Sequence, residues 1–376
     1  MLDKEHEDFR QWVKGFADKE IAPHAARIDE AEQADLNIVK KMAEAGLMGV
    51  PFPLEYGGAG LDNLSYAIAV EEVARVCGST GLFLAAHISL GSSPFYLFGD
   101  EEQKKKYLTR LANGEIIGAL GLTEPGAGSD AGSTRTNAVR DGNEWVINGT
   151  KCFITSGRLA SVVVITAITD KEKGKKGITS IIVEKGTPGF SYGKEEKKLG
   201  VRGTDTSELV FEDCRVPTKN LLGKEGEGYK QFLTILDGGR ISIAAMAVGI
   251  AQGCLEQSVK YAKERVQFGQ PISELQAVQI LIADTASDVE AARTLLYHAA
   301  QLEDAHKRFV KEAAMAKLFA SKAAVRAGLN AIQVHGGYGY MRDYPVERML
   351  RDSKLTEIGE GTSQIQELVI ARELFK

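Results

Sequence analysis

Residues 161–185 read SVVVITAITDKEKGKKGITSIIVEK. Two short apolar runs, 162–165 and 178–183, are rich in β-branched side chains and flank a polar turn of lysines and glycines. Such side chains lose rotamer freedom in a helix but pack well on a pleated surface, so the stretch reads as two strands. The same texture extends outward: Trp145 and Ile147 alternate with polar neighbours, and 208–211 is a further short apolar run. Glycine, asparagine, aspartate and proline punctuate these runs. The pattern predicts a compact β domain, sandwich or barrel, over 119–225.

On both sides the period lengthens to that of a helix. Phe9, Trp12, Val13 and Phe16 fall on one stripe with charges opposite, and Ile38, Met42 and Leu47 continue it. The run PFPLEYGGAGLDN (51–63) interrupts the pattern, which returns at 66–76 and beyond Gly81. Asp100 with Gln103 forms a capping-box start before KKKYLTRL, whose lysines 104–106 read as a solvated face. Past 226 the expected helices are 237–264, 277–303 (started by Ser273 with Gln276), 308–334 (stopped at His335-Gly336-Gly337) and the tail from Ser363. The expectation is an α+β chain of three domains: an N-terminal α-helical domain (1–118), a central β domain (119–225) and a C-terminal four-helix bundle (226–376).

Composition narrows the function. The 376 residues include 46 basic and 51 acidic ones, for a net charge of −5, which argues against a nucleic-acid binder. Cys77, Cys152, Cys214 and Cys254 are far apart, so neither a disulfide framework nor a metal site is expected. The most apolar stretch, 241–255, is shorter than the roughly 20 residues a membrane helix needs. The start MLDKEHEDF has neither a signal core nor an Arg-rich presequence, so a bacterial-type cytoplasmic protein is expected, or a trimmed organelle protein of the same appearance.

Three places invite chemistry. Gly126-Ala127-Gly128-Ser129-Asp130-Ala131 fits G-x-G-x-x-A, but no helical pattern follows it, so a dinucleotide fold is not expected. The loop is a plain connector or a backbone cradle for phosphate. No histidine has a nucleophile in a recognisable elbow; His87, in a Gly/Ser-rich turn, is the one to watch. Glu360 lies between Gly359 and Gly361, before a helix that Thr362 can cap. From the residues alone it is either an exposed glutamate in a capping turn, the commoner arrangement, or a general base raised towards neutrality by burial.

Five motifs then occur in order: LTEPGAGSD (122–130), CFITSG (152–157), ERVQFG (264–269), QVHGGYGY (333–340) and EGTSQIQ (360–366). Together with EYGGAG (55–60) and DYPVERMLRD (343–352), they resemble acyl-CoA dehydrogenases over nearly the whole chain. The resemblance implies the three-domain fold, non-covalent FAD, a homotetramer, an acyl-CoA substrate and electron-transferring flavoprotein as partner. It implies oxidation of the Cα–Cβ bond to the trans-2-enoyl-CoA. Glu360 would remove the α-proton, the β-hydrogen would leave as hydride to flavin N5, and the Glu360 N–H and a ribityl hydroxyl would polarise the thioester.

By the same resemblance, Leu122, Thr123, Phe153 and Thr155 would meet the isoalloxazine. Arg265, with Gln267 and Phe268, would take the pyrophosphate of a neighbouring subunit's FAD. Gln276, Gln333 and Gly337 would approach the cofactor, with Thr362 and Gln364 behind the base. Ser129, counted for both cofactor and substrate, would join Asp237, Arg240, Gly361 and Arg372 at the acyl-CoA. Many short- and medium-chain relatives have Tyr where this chain has Gly359, which implies a wider cavity and room for branched or cyclic acyl groups. Relatives that place the base on the first bundle helix would have it at Gly239, which cannot serve. The absence of arginine in 80–95 argues against a dicarboxylic substrate. Rival readings are an enoyl-CoA reductase with a bifurcating flavoprotein, an acyl-CoA oxidase, and, last, a flavin-binding scaffold.

Overall fold

A computed structural model describes residues 2–376. The N-terminal part is helical: α1 (Lys4–Phe16), α2 (Ala25–Ala31), α3 (Leu36–Glu44), α4 (Asn63–Val76), α5 (Gly78–Ala86), α6 (Ser93–Phe98), α7 (Glu101–Gln103) and α8 (Thr109–Ala112). Local chemistry sets several of these starts. Asp3, Asp35 and Asp62 accept backbone N–H groups of α1, α3 and α4, and the Asp100–Gln103 capping box forms as read.

The central part holds β1 (Gly118–Gly121), β2 (Asn137–Asp141), β3 (Glu144–Thr155), β4 (Val162–Ile168), β5 (Ile178–Glu184), β6 (Phe190–Glu195) and β7 (Thr206–Pro217). All seven belong to one sheet, ordered β1-β4-β2-β3-β7-β6 with β5 also on β4. Its two halves meet at a single register pair, Asn137 with Ile168. The sheet curls there, and the halves enclose a core of Trp145, Ile147, Ile165, Ile181, Leu209 and Phe211. The expected sandwich-or-barrel packing is thus achieved by one curled sheet.

The C-terminal helices are α9 (Gly228–Glu264), α10 (Gln276–Asp304), α11 (Val310–His335), α12 (Val346–Ser353) and α13 (Ser363–Leu374). Between α9 and α10 a small hairpin, β8 (Val266–Gln267) and β9 (Gln270–Pro271), carries Phe268 at its tip. Two expectations need correction. Ser273 does not cap α10: it is used up in a 3₁₀ turn over Ile272–Glu274, and α10 starts at Gln276 without a side-chain cap. The apolar stretch is also longer than read, because α9 begins at Gly228. Both the 78–98 helical run and α9 carry windows apolar enough to cross a membrane, but 72% of each window is buried inside the protein.

N- and C-terminal helices share one core, from Val13 through Ala244–Ala247 to Met349. The α4–α9 contact in it rests on glycine. A Cβ at Gly249 would lie 2.1 Å from Glu71 O, and one at Gly253 would lie 2.3 Å from Arg75 O. Glu71 itself ties three helices, accepting from Arg10 (α1), and from Arg293 and Tyr297 (α10). The Gly249→Val substitution should force the two helices apart and cost about 2–3 kcal/mol or more. A lower urea midpoint at unchanged slope is the expected reading; an unchanged midpoint would show that the contact has slack.

Candidate active site

The first turn of α13 and the loop before it carry Glu360. Thr362 Oγ1 accepts the Ile365 N–H at 3.3 Å, so the expected cap forms. Before it, Ile358 and Gly359 donate their N–H groups to Leu355 O, which leaves Glu360 at the apex of a turn. Glu360 adopts a left-handed backbone (φ 53°), followed by Gly361 at φ 95°. A non-glycine residue there costs energy and is kept only where its surroundings over-determine it.

Those surroundings are specific. Glu360 Oε2 is buried and meets no hydrogen-bond partner among the described residues. The wall opposite is α9 at Gly239, where a Cβ would sit 1.8 Å from that oxygen. Burial pushes the Glu360 carboxyl up to about 7, while the Lys317 and Arg240 charges pull the other way. Lys317, fully buried on α11, donates to Gly361 O at 2.6 Å, and burial pushes its ammonium down to about 8. Gln366 Nε2 donates to Gly361 O (2.9 Å) and Glu360 O (3.3 Å). Arg240 is buried, is paired with Asp237, and keeps its Nε unpartnered. Arg372 is exposed but within electrostatic reach of Asp237 and Arg240. So Glu360, Gly361, Thr362, Asp237, Arg240 and Arg372 come together as one cluster, and Gln364 faces outward from it.

A second group gathers on the β domain. Lys151 is fully buried and pairs with Glu124 at 2.7 Å, and it also donates to Leu122 O and Thr166 Oγ1. Glu124 in turn accepts from the N–H groups of Arg135 and Thr136 and from the Thr134 hydroxyl. Although burial opposes its ionisation, the Lys151 charge and these donors hold Glu124 down to about 2. This pair fixes the loop over 122–136, in which no helix follows the glycines apart from a 3₁₀ turn at Ala131–Ser133. Cys152 N donates to Thr123 O, which sets Leu122 and Thr123 beside the end of β3. There a register shift between Lys151 and Ile154 throws Phe153 (φ 57°) out of the ladder, and it is 62% exposed. Thr155 is half-buried, and Ser129 lies exposed on the loop.

A third group lines a cavity of about 540 Å³ between the end of α9, the β8–β9 hairpin and the end of α11. Arg265, Gln267 and Gly337 line it with Tyr261, His335 and Tyr338. The buried His335 gives Nδ1 to Ala331 O and keeps Nε2 unpartnered. Glu360 is not among the lining residues. Gln333, Gln276 and Phe268 are exposed; Phe268, at 90%, stands on the hairpin tip with a left-handed backbone.

His87 needs correction. It sits in the continuous 78–98 helical run, fully buried, stacked on Phe83, with Nε2 against Leu111 O. Burial pushes its ring down to about 4, so it is a packed, neutral histidine. Gly91 beside it is small because backbone comes close, since a Cβ there would lie 2.6 Å from Gly118 O, while the Ser89, Ser92 and Ser93 hydroxyls donate to carbonyls of the same run. Sequence reading missed Lys317, although it had a signal. The lysine falls at i+4 from Ala313 and i−3 from Ala320, on the buried alanine face of α11.

Comparisons with known proteins follow the same lines. The profile described as "Acyl-CoA dehydrogenase, N-terminal domain" matches residues 3–115, the middle domain 119–214 and the C-terminal domain 226–375. The chain is 58% identical over 376 residues to "Probable acyl-CoA dehydrogenase YngJ" of Bacillus subtilis, covering 100% of this chain and 99% of that one. It is 52% identical to "Acyl-CoA dehydrogenase, short-chain specific" of Clostridium acetobutylicum (100% and 99% covered) and 52% to "Acryloyl-CoA reductase (NADH)" of Anaerotignum propionicum (100% and 95%). Butyryl-CoA dehydrogenase from Megasphaera elsdenii superposes with a TM-score of 0.98 at 43% identity, covering 100% and 99%. A chain from a structure described as "Electron transferring flavoprotein of Acidaminococcus fermentans: Towards a mechanism of flavin-based electron bifurcation" superposes at 0.99 with 50% identity (100% and 99%). Three consecutive profiles and relatives of this identity, all spanning the chain, place it in the acyl-CoA dehydrogenase family.

Proposed function

We propose that the chain is an FAD-dependent acyl-CoA dehydrogenase in which Glu360 is the base that removes the α-proton. The observation that carries this reading is the Glu360 carboxyl, whose Oε2 is buried and unpartnered and which burial pushes up to about 7, where a proton acceptor works well at neutral pH. The Glu360 N–H sits past the last backbone hydrogen bond of its turn, so it can donate to a thioester oxygen as negative charge develops. Arg240 and Asp237, with Ser129 and Arg372, would bind and orient the CoA.

The residues present fit FAD. Leu122, Thr123, Phe153 and Thr155 would hold the isoalloxazine, Phe153 because the bulge turns its ring outward. Arg265 and Gln267 would take the pyrophosphate in a cavity where His335 Nε2 still lacks a partner, with Gln276, Gln333 and Gly337 towards the adenosine. When bound, FAD supplies the acceptor for the β-hydrogen, as hydride. The exposed Phe268, Val266 and Tyr340 support a homotetramer that completes the cofactor site across subunits. Electrons would pass to electron-transferring flavoprotein, as the Acidaminococcus likeness supports. The short-chain-specific and butyryl-CoA relatives point to short acyl groups. Gly359 puts no side chain next to the base, which supports room for branching; a Cβ there would make an ordinary contact with Leu355 O at 3.6 Å.

A base near neutrality also works in reverse, since its protonated form can return a proton to the α-carbon. The acryloyl-CoA reductase relative keeps that direction open as a second reading.

Anaerobic addition of acyl-CoAs to the FAD-loaded protein should bleach the flavin with butyryl-CoA and isobutyryl-CoA and far less with palmitoyl-CoA; a flavin that no acyl-CoA bleaches would overturn the dehydrogenase reading. Glu360→Gln should keep FAD and ligand binding and lose at least about 10³-fold in the bleaching rate; near-normal turnover would remove Glu360 from its role. The base must be ionised, so kcat/KM should be level above about pH 7 and fall about tenfold per unit below it. Gly359→Tyr should cut the isobutyryl-CoA rate relative to butyryl-CoA by about tenfold or more; an unchanged ratio would show that position 359 does not sense branching.

A further inference from the structure

We propose that Lys317 is a positioning residue for the base, pinning the turn that presents Glu360 through Gly361 O and acting as its counter-charge. The inference rests on the reading of Glu360 as the base. Lys317 stands in mid-α11 among Ala313, Ala316 and Ala320, all fully buried. An ammonium in such a place costs several kcal/mol unless its charge and donors are used. Its donor goes to Gly361 O at 2.6 Å.

Two neutral donors share the work of holding this turn. Ser321 Oγ, one helical turn further on, donates to Thr356 O at 2.7 Å, and Gln366 Nε2 from α13 reaches the carbonyls of Glu360 and Gly361. Together they hold two successive left-handed residues, of which only Gly361 adopts that backbone freely. Lys317 differs from them in carrying charge.

The charged and titratable groups around the pair assign that charge. From α9 come Arg240 and Asp237, from α4 Tyr66, from α10 Glu303, and from the turn itself Glu357. Arg240 is engaged by Asp237, and Lys354 by Glu357. Glu303 and Tyr66 offer no positive charge. Lys317 and Arg240 both draw the Glu360 carboxyl down, Lys317 the more strongly, and of the two only Lys317 also holds the turn through Gly361 O. It opposes the burial that favours the neutral acid, and it orients the carbonyl that follows the base.

The test uses the FAD-loaded protein with Lys317→Met, Lys317→Gln and Gln366→Met. Two readouts apply: the pH dependence of flavin reduction by butyryl-CoA, and the infrared carboxylic-acid band of Glu360 in substrate-free protein, identified by its loss in Glu360→Gln. Lys317→Met should move both midpoints up by about one pH unit. Lys317→Gln, which keeps a donor for Gly361 O, should move them as far, and it serves if the methionine variant does not fold. Gln366→Met should slow reduction with the midpoints in place. Wild-type midpoints in the lysine variants would overturn the proposal, even if their thermal stability falls. If no acyl-CoA reduces the wild-type flavin, the dehydrogenase reading fails while the infrared band still reports on the Lys317–Glu360 coupling.

Discussion

A carboxylate oxygen of Glu360 occupies space that any side chain at Gly239 would take. The arrangement of the site follows from this exclusion. Because α9 presents bare backbone there, the turn before α13 can dip against it and carry its charge away from water. Gly249 and Gly253 repeat the device further along α9, letting α4 close on the other stretch of the helix. Each internal glycine costs about 1 kcal/mol of helix propensity. In a 37-residue helix packed on most sides, burial of the alanine-rich face offsets that cost.

Buried charge is managed by pairing or by donation to backbone. Asp237 answers Arg240, Glu124 answers Lys151, and Lys317 spends its donor on a carbonyl. Truncating one member of a buried pair leaves the other uncompensated, and this is why such groups fix geometry more firmly than they add stability. Glu124 and Lys151 do this for the 122–136 loop. Phe153, Phe268 and Glu360 are among the left-handed residues, each where a side chain leaves the regular pattern of its element.

Much of this was legible in the sequence. The strand texture, the capping box at Asp100 and Gln103, the stop at Gly336 and the cap at Thr362 depend on neighbours within four residues, so local reading finds them. The helix read as 237–264 starts nine residues earlier, at Gly228, and its Gly238 and Gly239 meet Glu303 and Glu360 from distant segments. Gly91, near His87, misled because it answers to β1, not to a turn. The short helix α12 was absorbed into a motif, and Ser273 matched a capping pattern that the preceding hairpin overrides. Glu360 could be named from its flanking glycines and its resemblance, but its surroundings depend on Lys317 of α11 and Gly239 of α9, 43 and 121 residues away.

Gly359 and Glu360 are adjacent in sequence and face different walls, the first towards Leu355 and the second towards Gly239. A side chain added at 359 would therefore meet Leu355 first and leave the contact of Glu360 with Gly239 in place.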